Sequence, residues 1–111
     1  MNATVVEEAG QTTVVLADDI VTDNVEAFRQ LMDDVLEKRS TLPLVLDLGR
    51  IDYLCSAGVG VIAGVHRTLK ANHTELIVKD PSERVSRLLM VTRLDTLIRV
   101  VGGVKPGVVP R

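Results

Sequence analysis

The hydrophobic positions in the first half of the chain follow two patterns. Residues 3–8 and 12–17 are rich in β-branched side chains and are separated by residues 9–11, which include a glycine. β-branched residues favour strands, so these runs predict an opening hairpin with a tight turn. From Asp23 to Lys38, apolar residues recur at spacings of three and four, which is typical of one face of a helix.

The second half of the chain alternates short apolar runs with helical spacing. Residues 44–48 (LVLDL) are a run of the type expected for a strand buried on both faces of a sheet, and residues 75–79 (ELIVK) predict the next buried strand. Helical spacing follows each run, first over residues 56–71 and then over a shorter amphipathic segment that starts near Pro81. Residues 97–101 (LIRVV) predict a closing strand.

Each of the three predicted helices has, at its start, a residue type that favours the start of a helix. Thr22 or Asp23 is a candidate cap for the first helix, because its side-chain oxygen can accept a hydrogen bond from a free N–H of the first turn. Ser56 is the candidate cap of the second helix. Pro81 occupies a favoured starting position for the third helix.

The order of these elements, ββαβαβαβ, predicts the fold class. Strands that alternate with single helices favour parallel neighbours joined by right-handed crossovers. We therefore expect an α/β fold: a mostly parallel sheet of about five strands, with an N-terminal hairpin and helices packed on it. A chain of 111 residues fits one domain, residues 1–111. Its end, residues 103–111, is rich in Gly and Pro and is expected to be a flexible tail.

Composition excludes several classes of function. Phe28 and Tyr53 are the only aromatic residues other than histidine, so the core must be aliphatic and stacking on bases is not expected. A net charge of −2 and a pI near 5.6 give no basic surface for a phosphate backbone, so we expect no nucleic acid partner. His66 and His73 lack the spacing of metal ligands, so neither a metal nor a cofactor is expected.

The same sequence predicts a reducing, cytoplasmic location. A single cysteine cannot form an internal disulfide. The N-terminus does not resemble a signal peptide, and no apolar run reaches the length of about 18 residues that a membrane span needs, so direct membrane insertion is not expected.

Residues 53–60 (YLCSAGVG) form the segment that calls for a functional explanation. They lie between a predicted strand and the second helix, at the edge of an α/β sheet where functional groups usually collect. The free N–H groups at the start of a helix stabilise an anion or phosphoryl group. Packing alone gives a second interpretation, because small residues also let a helix approach a sheet closely.

Three kinds of chemistry can be considered for this segment. Residues 58–63 fit the G-x-G-x-x-A dinucleotide pattern, but Gly58 lies ten residues beyond Leu48, whereas that pattern needs its first glycine directly after the strand. Cys55 is a candidate thiolate nucleophile without a histidine nearby in sequence. Ser56 lacks the G-x-S-x-G environment of a hydrolase. We therefore expect no enzyme, and a small enzyme or nucleotide binder remains an alternative.

Three stretches of the chain together resemble the STAS domain of bacterial anti-sigma-factor antagonists. They are LVLDL, IDYLCSAGVGVI and ELIVKDPSERVSRLLMVTRLDTLIRV. In that family the loop reads Asp-Ser-Ser/Thr-Gly, followed by an apolar residue and a second glycine. The hydroxyl residue before the first glycine is phosphorylated by a partner kinase. On this chain the three positions before that glycine are Cys55, Ser56 and Ala57, which together form the corresponding phosphorylation loop.

Alanine at the phosphoacceptor position departs from the family pattern. Ala57 has no hydroxyl, so either the chain is a natural member that does not switch, or a substitution has removed the acceptor, or Ser56 takes over. A phosphoserine would add about −1.5 to −2 charges and disturb a partner docked on the loop. Without it, the loop is expected to stay uncharged and permanently able to bind.

The resemblance implies a protein-interaction module. The expected function is an anti-sigma-factor antagonist that binds an anti-sigma factor or serine kinase in a partner-switching pathway. The expected contact residues are Ser56, Ala57, Gly58, Gly60 and Arg67. The alternative is a STAS accessory subunit of a membrane transporter. The oligomeric state does not follow from the sequence.

Overall fold

Residues 1–103, the part of the chain that the computed structural model describes, form the predicted ββαβαβαβ order. The tail predicted over residues 103–111 lies outside the described residues, apart from Gly103. The strands are β1 (Ala3–Glu7), β2 (Thr12–Leu16), β3 (Leu44–Asp47), β4 (Leu76–Lys79) and β5 (Arg99–Val101). The helices are α1 (Val25–Arg39), α2 (Ser56–Ala71) and α3 (Glu83–Val91), and a short 3-10 turn (Leu94–Thr96) precedes β5.

The five strands form one sheet in the order β1-β2-β3-β4-β5. β1 pairs antiparallel with β2, and the other neighbours are parallel. The mostly parallel α/β fold expected from the sequence is therefore confirmed. Because the strand order follows the chain order, every right-handed crossover steps in the same direction and places its helix on the same face of the sheet.

The core lies between this face and the three helices. Alternate residues of β2, β3 and β4 point into it, where they meet buried residues of the helices such as Phe28, Met32, Ile62 and Leu69. The core is aliphatic around the single ring of Phe28, which is fully buried. The strand residues in this cluster are Val14, Leu16, Leu44, Leu46, Leu76 and Val78. Burial of this apolar surface is the main stabilising contribution to the fold.

The opposite face of the sheet is less covered than the face that packs against the helices. Leu44, Val45 and Leu46 of β3 are all buried, as expected for a strand buried on both faces. On β4, however, Ile77 is only half-buried and Lys79 is exposed. On β4, burial is therefore complete only on the face that packs against the helices, where Leu76 and Val78 lie.

The first helix begins at a different cap from the one predicted. Asn24, and neither Thr22 nor Asp23, precedes α1, and its side chain does not cap the helix. Instead, its Oδ1 accepts the N–H of Val21 at 2.8 Å, and its Nδ2 donates to the carbonyl of Asp19 at 2.8 Å. Asn24 therefore fixes the loop between β2 and α1, which in turn supports the site described below.

The third helix also begins later than predicted. Ser82 is its cap, with an extended backbone and a side-chain Oγ that accepts the N–H of Val85 at 3.1 Å. Pro81 is buried ahead of the helix and does not form its first turn. None of the helices in the described range combines the length and apolar character required to cross a bilayer.

Candidate docking site at the start of α2

Asp19, in the loop after β2, holds the segment that leads into α2. Its carboxylate Oδ1 accepts the backbone N–H of Asp52 at 2.8 Å and that of Tyr53 at 3.2 Å. Ile20 then pairs with the same segment, donating its N–H to Tyr53 O at 3.1 Å and accepting that of Cys55 at 2.9 Å. The segment is therefore held by backbone bonds on both sides of buried Leu54.

The inner side of the first turn of α2 is packed tightly against this bridge. Gly58 is buried, and a Cβ added there would lie 2.6 Å from Leu54 Cδ1 and 3.0 Å from Ile20 Cγ2. A side chain at this position would therefore push α2 away from the loop. The sequence placed Gly58 among the contact residues, but its place in the structure is internal. Its function is to let α2 and the bridge approach each other.

The outer side of the same turn is open to solvent. Ser56 and Ala57 are exposed, and Cys55 is half-buried against the core. Cys55 is the residue before the helix, so the prediction that Ser56 would be its cap was wrong. The first turn has no side-chain cap, and the Cys55 carbonyl accepts the N–H of Val59 at 3.1 Å. The N–H groups of Ser56, Ala57 and Gly58 come before this first hydrogen bond of the helix.

A shallow apolar groove lies beside Ser56, and the sequence did not indicate it. The groove has a volume of about 330 Å³ and runs between the segment before α2 and one side of α3. Tyr53, 39% exposed, and Val91, 72% exposed, contribute its apolar surface. The guanidinium of Arg84 lies 5.2 Å from the centre of the Tyr53 ring, and its Nη1 lies 3.7 Å from Asp52 Oδ2. We call this the Tyr53 groove.

One signal could have revealed this groove in the sequence. Tyr53 is the only tyrosine of the chain and precedes the buried Leu54 in the stretch YLCSAGVG. In an extended segment, neighbouring side chains point to opposite sides, so burial of Leu54 sends Tyr53 outward. The contribution of α3 could not be inferred, because it depends on how that helix packs beside the segment.

Gly60 and Arg67 line a second groove, between α1 and α2. Both residues are exposed, and they share the groove with Arg29 and Asp33 of α1. The Arg67 side chain leans back over Gly64, with an Nη atom 3.8 Å from where a Cβ of Gly64 would lie. The structure thus brings two of the predicted contact residues, Gly60 and Arg67, into one groove, while Ser56 lines the Tyr53 groove.

The geometry disfavours the alternative chemistries. Gly58 and Gly60 both lie within α2, and a dinucleotide pattern needs its first glycine in the turn after the strand. Cys55 and His66 are separated by eleven positions, which corresponds to about 16 Å along a helix. A base at that distance cannot take a proton from the thiol. Among the described residues, no three His, Cys, Asp or Glu side chains converge as metal ligands.

The chain is similar to known proteins both in its sequence and in its fold. The chain is 30% identical over 67 residues to an anti-sigma-B factor antagonist of Listeria monocytogenes, a match that covers 60% of this chain and 59% of that protein. A solved structure from Thermotoga maritima superimposes with a TM-score of 0.83 at 18% identity, covering 92% of this chain and 87% of that one.

The anti-sigma factor antagonist SpoIIAA has the same fold. Its unphosphorylated form gives a TM-score of 0.74 at 19% identity, over 89% of this chain and 87% of SpoIIAA. The phosphorylated form, from Bacillus, gives 0.70 at 17% identity, over 89% and 90%. The family model of the STAS domain matches residues 2–106. With that match spanning nearly its whole length, the chain belongs to the STAS domain family.

Proposed function

We propose that this protein is an anti-sigma factor antagonist that docks on a kinase-type anti-sigma factor through the exposed start of α2. The observation that carries the proposal is the exposure of Ser56 and Ala57 on a segment that Asp19 and Ile20 hold in place. A preformed site loses little conformational freedom on binding. Support for the class of partner comes from the relatives, which are named as antagonists of anti-sigma factors.

The docking surface extends from Ser56 and Ala57 into both neighbouring grooves. On one side, Tyr53 and Arg84 offer an aromatic ring and a cation, residue types that are enriched among the dominant contacts of interfaces. On the other side, Gly60 leaves open space above the helix next to Arg67. A partner that covers the first turns of α2 would contact both grooves.

The residue at position 57 makes docking independent of phosphorylation. Ala57 carries no hydroxyl, so a partner kinase finds no acceptor at the position where the family carries one. A phosphoryl group there would bring about two negative charges into the interface and oppose binding. Without an acceptor, the antagonist stays in its binding state while the kinase is active.

Calorimetric titration against a kinase-type anti-sigma factor from the same genome tests the docking surface. Tyr53→Ala should weaken binding by about tenfold or more, as expected for a central aromatic contact. Gly60→Arg should weaken it similarly, because its new side chain would occupy the open space that the partner covers. Ala71→Arg, at the far end of the same helix, is the matched control and should bind normally. Equal affinities for Gly60→Arg and Ala71→Arg would reject this surface.

Mass spectrometry after incubation with the kinase and ATP tests the role of Ala57. The protein should gain no phosphate, whereas the Ala57→Ser variant should gain one at position 57 and lose affinity. A phosphate on Ser56 of the unaltered protein would overturn the constitutive docking. Copurification with a membrane transporter, together with failure to bind any anti-sigma factor, would favour the accessory-subunit alternative.

A further inference from the structure

The backbone of Tyr53 is fixed by its own segment, but its side chain is not. Asp19 Oδ1 accepts the N–H of Tyr53 at 3.2 Å, and the Tyr53 carbonyl accepts the N–H of Ile20 at 3.1 Å. These bonds hold the main chain and leave the side-chain torsions of Tyr53 unrestrained. The side chain is 39% exposed, so packing confines the ring only in part. The direction of the ring therefore depends on the group that lies against its face.

Arg84, in the first turn of α3, is that group. Its guanidinium carbon lies 5.2 Å from the centre of the ring, inside the range of about 6 Å over which an aromatic face attracts a cation. Its Nη1 lies 3.7 Å from Oδ2 of Asp52, the residue before Tyr53. The guanidinium therefore contacts two successive side chains of the segment before α2.

The position of Arg84 within α3 shows that its favourable contacts lie outside its own helix. A cation in the first turn meets the positive end of the helix macrodipole, which disfavours it. The same turn is held by Ser82, whose Oγ accepts the N–H of Val85 at 3.1 Å. A capped helix end therefore carries Arg84 to Asp52 and Tyr53, where its charge is stabilised.

We propose that Arg84 is a positioning residue for docking, which acts through Tyr53 by holding its ring in the wall of the Tyr53 groove. This inference rests on the proposed function and deepens it. An aromatic side chain that is already held in one orientation loses less freedom when a partner covers it. Arg84 thus sets the strength of a contact that another residue makes, and it does so from a different element of the fold.

Arg87 offers a matched comparison on the same helix. It lies three positions after Arg84 and lines the same groove. Its Nη2 donates to Oε1 of Glu83 at 3.1 Å, so this guanidinium is paired within α3. Arg87→Ala therefore removes the same charge from the same groove and keeps the cation that lies over the Tyr53 ring.

Tyrosine spectroscopy of the free protein tests the contact, since Tyr53 is the only tyrosine and the chain has no tryptophan. Arg84→Ala should lower the near-UV circular dichroism of the tyrosine band and add fast local rotation to the decay of tyrosine fluorescence anisotropy. Arg84→Lys should keep part of both signals, because it keeps the charge but loses the planar guanidinium. Arg87→Ala should leave both signals unchanged. Thermal unfolding should change little in all three variants, because exposed ion pairs contribute little to stability.

A double-mutant cycle in the calorimetric titration tests whether Arg84 acts through the ring. Arg84→Ala should weaken binding by about two- to fivefold, the effect of one exposed cation–π contact. In the Tyr53→Ala background the same substitution should cause no further loss. An equal loss in both backgrounds would mean that Arg84 contacts the partner itself, and it would overturn the positioning role.

The spectroscopic and binding results separate failure of this inference from failure of the proposed function. Tyr53 signals that stay unchanged in Arg84→Ala would overturn the positioning role alone, even where the unaltered protein binds its partner. An unaltered protein that binds no anti-sigma factor would contradict the proposed function, and the docking role of Arg84 with it.

Discussion

Gly58 and Gly60 are two residues apart in the first turns of α2, yet they have opposite surroundings. Gly58 faces inward, where an added Cβ would collide with Leu54 and Ile20. Gly60 faces outward, where an added Cβ would meet no atom within 4 Å. The same residue type therefore has two uses within one short segment. Inside, its small size allows close packing, and outside, it leaves space that a partner can occupy.

The segment YLCSAGVG was open to two interpretations, close packing and an accessible functional surface. The contrast between Gly58 and Gly60 shows that each interpretation applies to one side of α2. Close packing explains Gly58, and an accessible surface explains Ser56, Ala57 and Gly60. Residues two positions apart in a helix point to nearly opposite sides, because successive side chains are rotated by about 100° around the helix axis. Substitutions on the inner side of α2 should therefore mainly change stability, and substitutions on its outer side should mainly change binding.

The largest expected effect is on the inner side. Gly58→Leu should lower the free energy of unfolding by about 2 kcal/mol, since overpacking costs more than leucine recovers in helix propensity over glycine. Gly60→Leu adds the same atoms to open space and should not lower the stability. Urea denaturation of both variants checks this difference. An equal loss of stability in Gly58→Leu and Gly60→Leu would contradict the placement of Gly58 on the inner side and Gly60 on the outer side of α2.

A smaller effect is expected where the segment before α2 is held in place. Asp19→Ala removes the acceptor of two backbone N–H groups and should cost about 1 kcal/mol, since Asp19 is exposed and water replaces part of the lost bonding. Hydrogen exchange should become faster at the amides of Asp52 and Tyr53. Asp19→Asn keeps a side-chain oxygen and should retain most of the protection. Unchanged exchange in Asp19→Ala would show that the segment is held by other contacts.

The smallest expected effect is a gain on the outer side. Gly60→Ala should stabilise the fold by about 0.8 kcal/mol, because alanine loses less backbone freedom than glycine in a helix and its methyl group meets open space. Thermal unfolding by circular dichroism measures the gain. The same substitution at Gly58 should give no such increase, and a comparable gain there would mean that Leu54 and Ile20 can move aside at no cost.

Local patterns were sufficient to predict the elements and their order. β-branched runs, helical spacing and apolar runs predicted five strands and three helices, because each pattern records which side of an element is buried. The caps were less predictable. Asn24 precedes α1 but directs its side chain to Val21 and Asp19, so its partners depend on the path of the loop. Cys55 precedes α2 without a side-chain bond, so no capping signal marked that position.

The sequence by itself determined the α/β fold, the aliphatic core and the position of the small-residue segment ahead of α2, since period and residue type act over a few neighbours. Only the tertiary structure decided that Gly58 is internal, that Tyr53 and Arg84 meet beside Ser56, and that one face of the sheet is open. These features depend on contacts between residues far apart in the chain. They are fixed by the order of the strands and by the fact that all three helices lie on one face of the sheet, which no local pattern encodes.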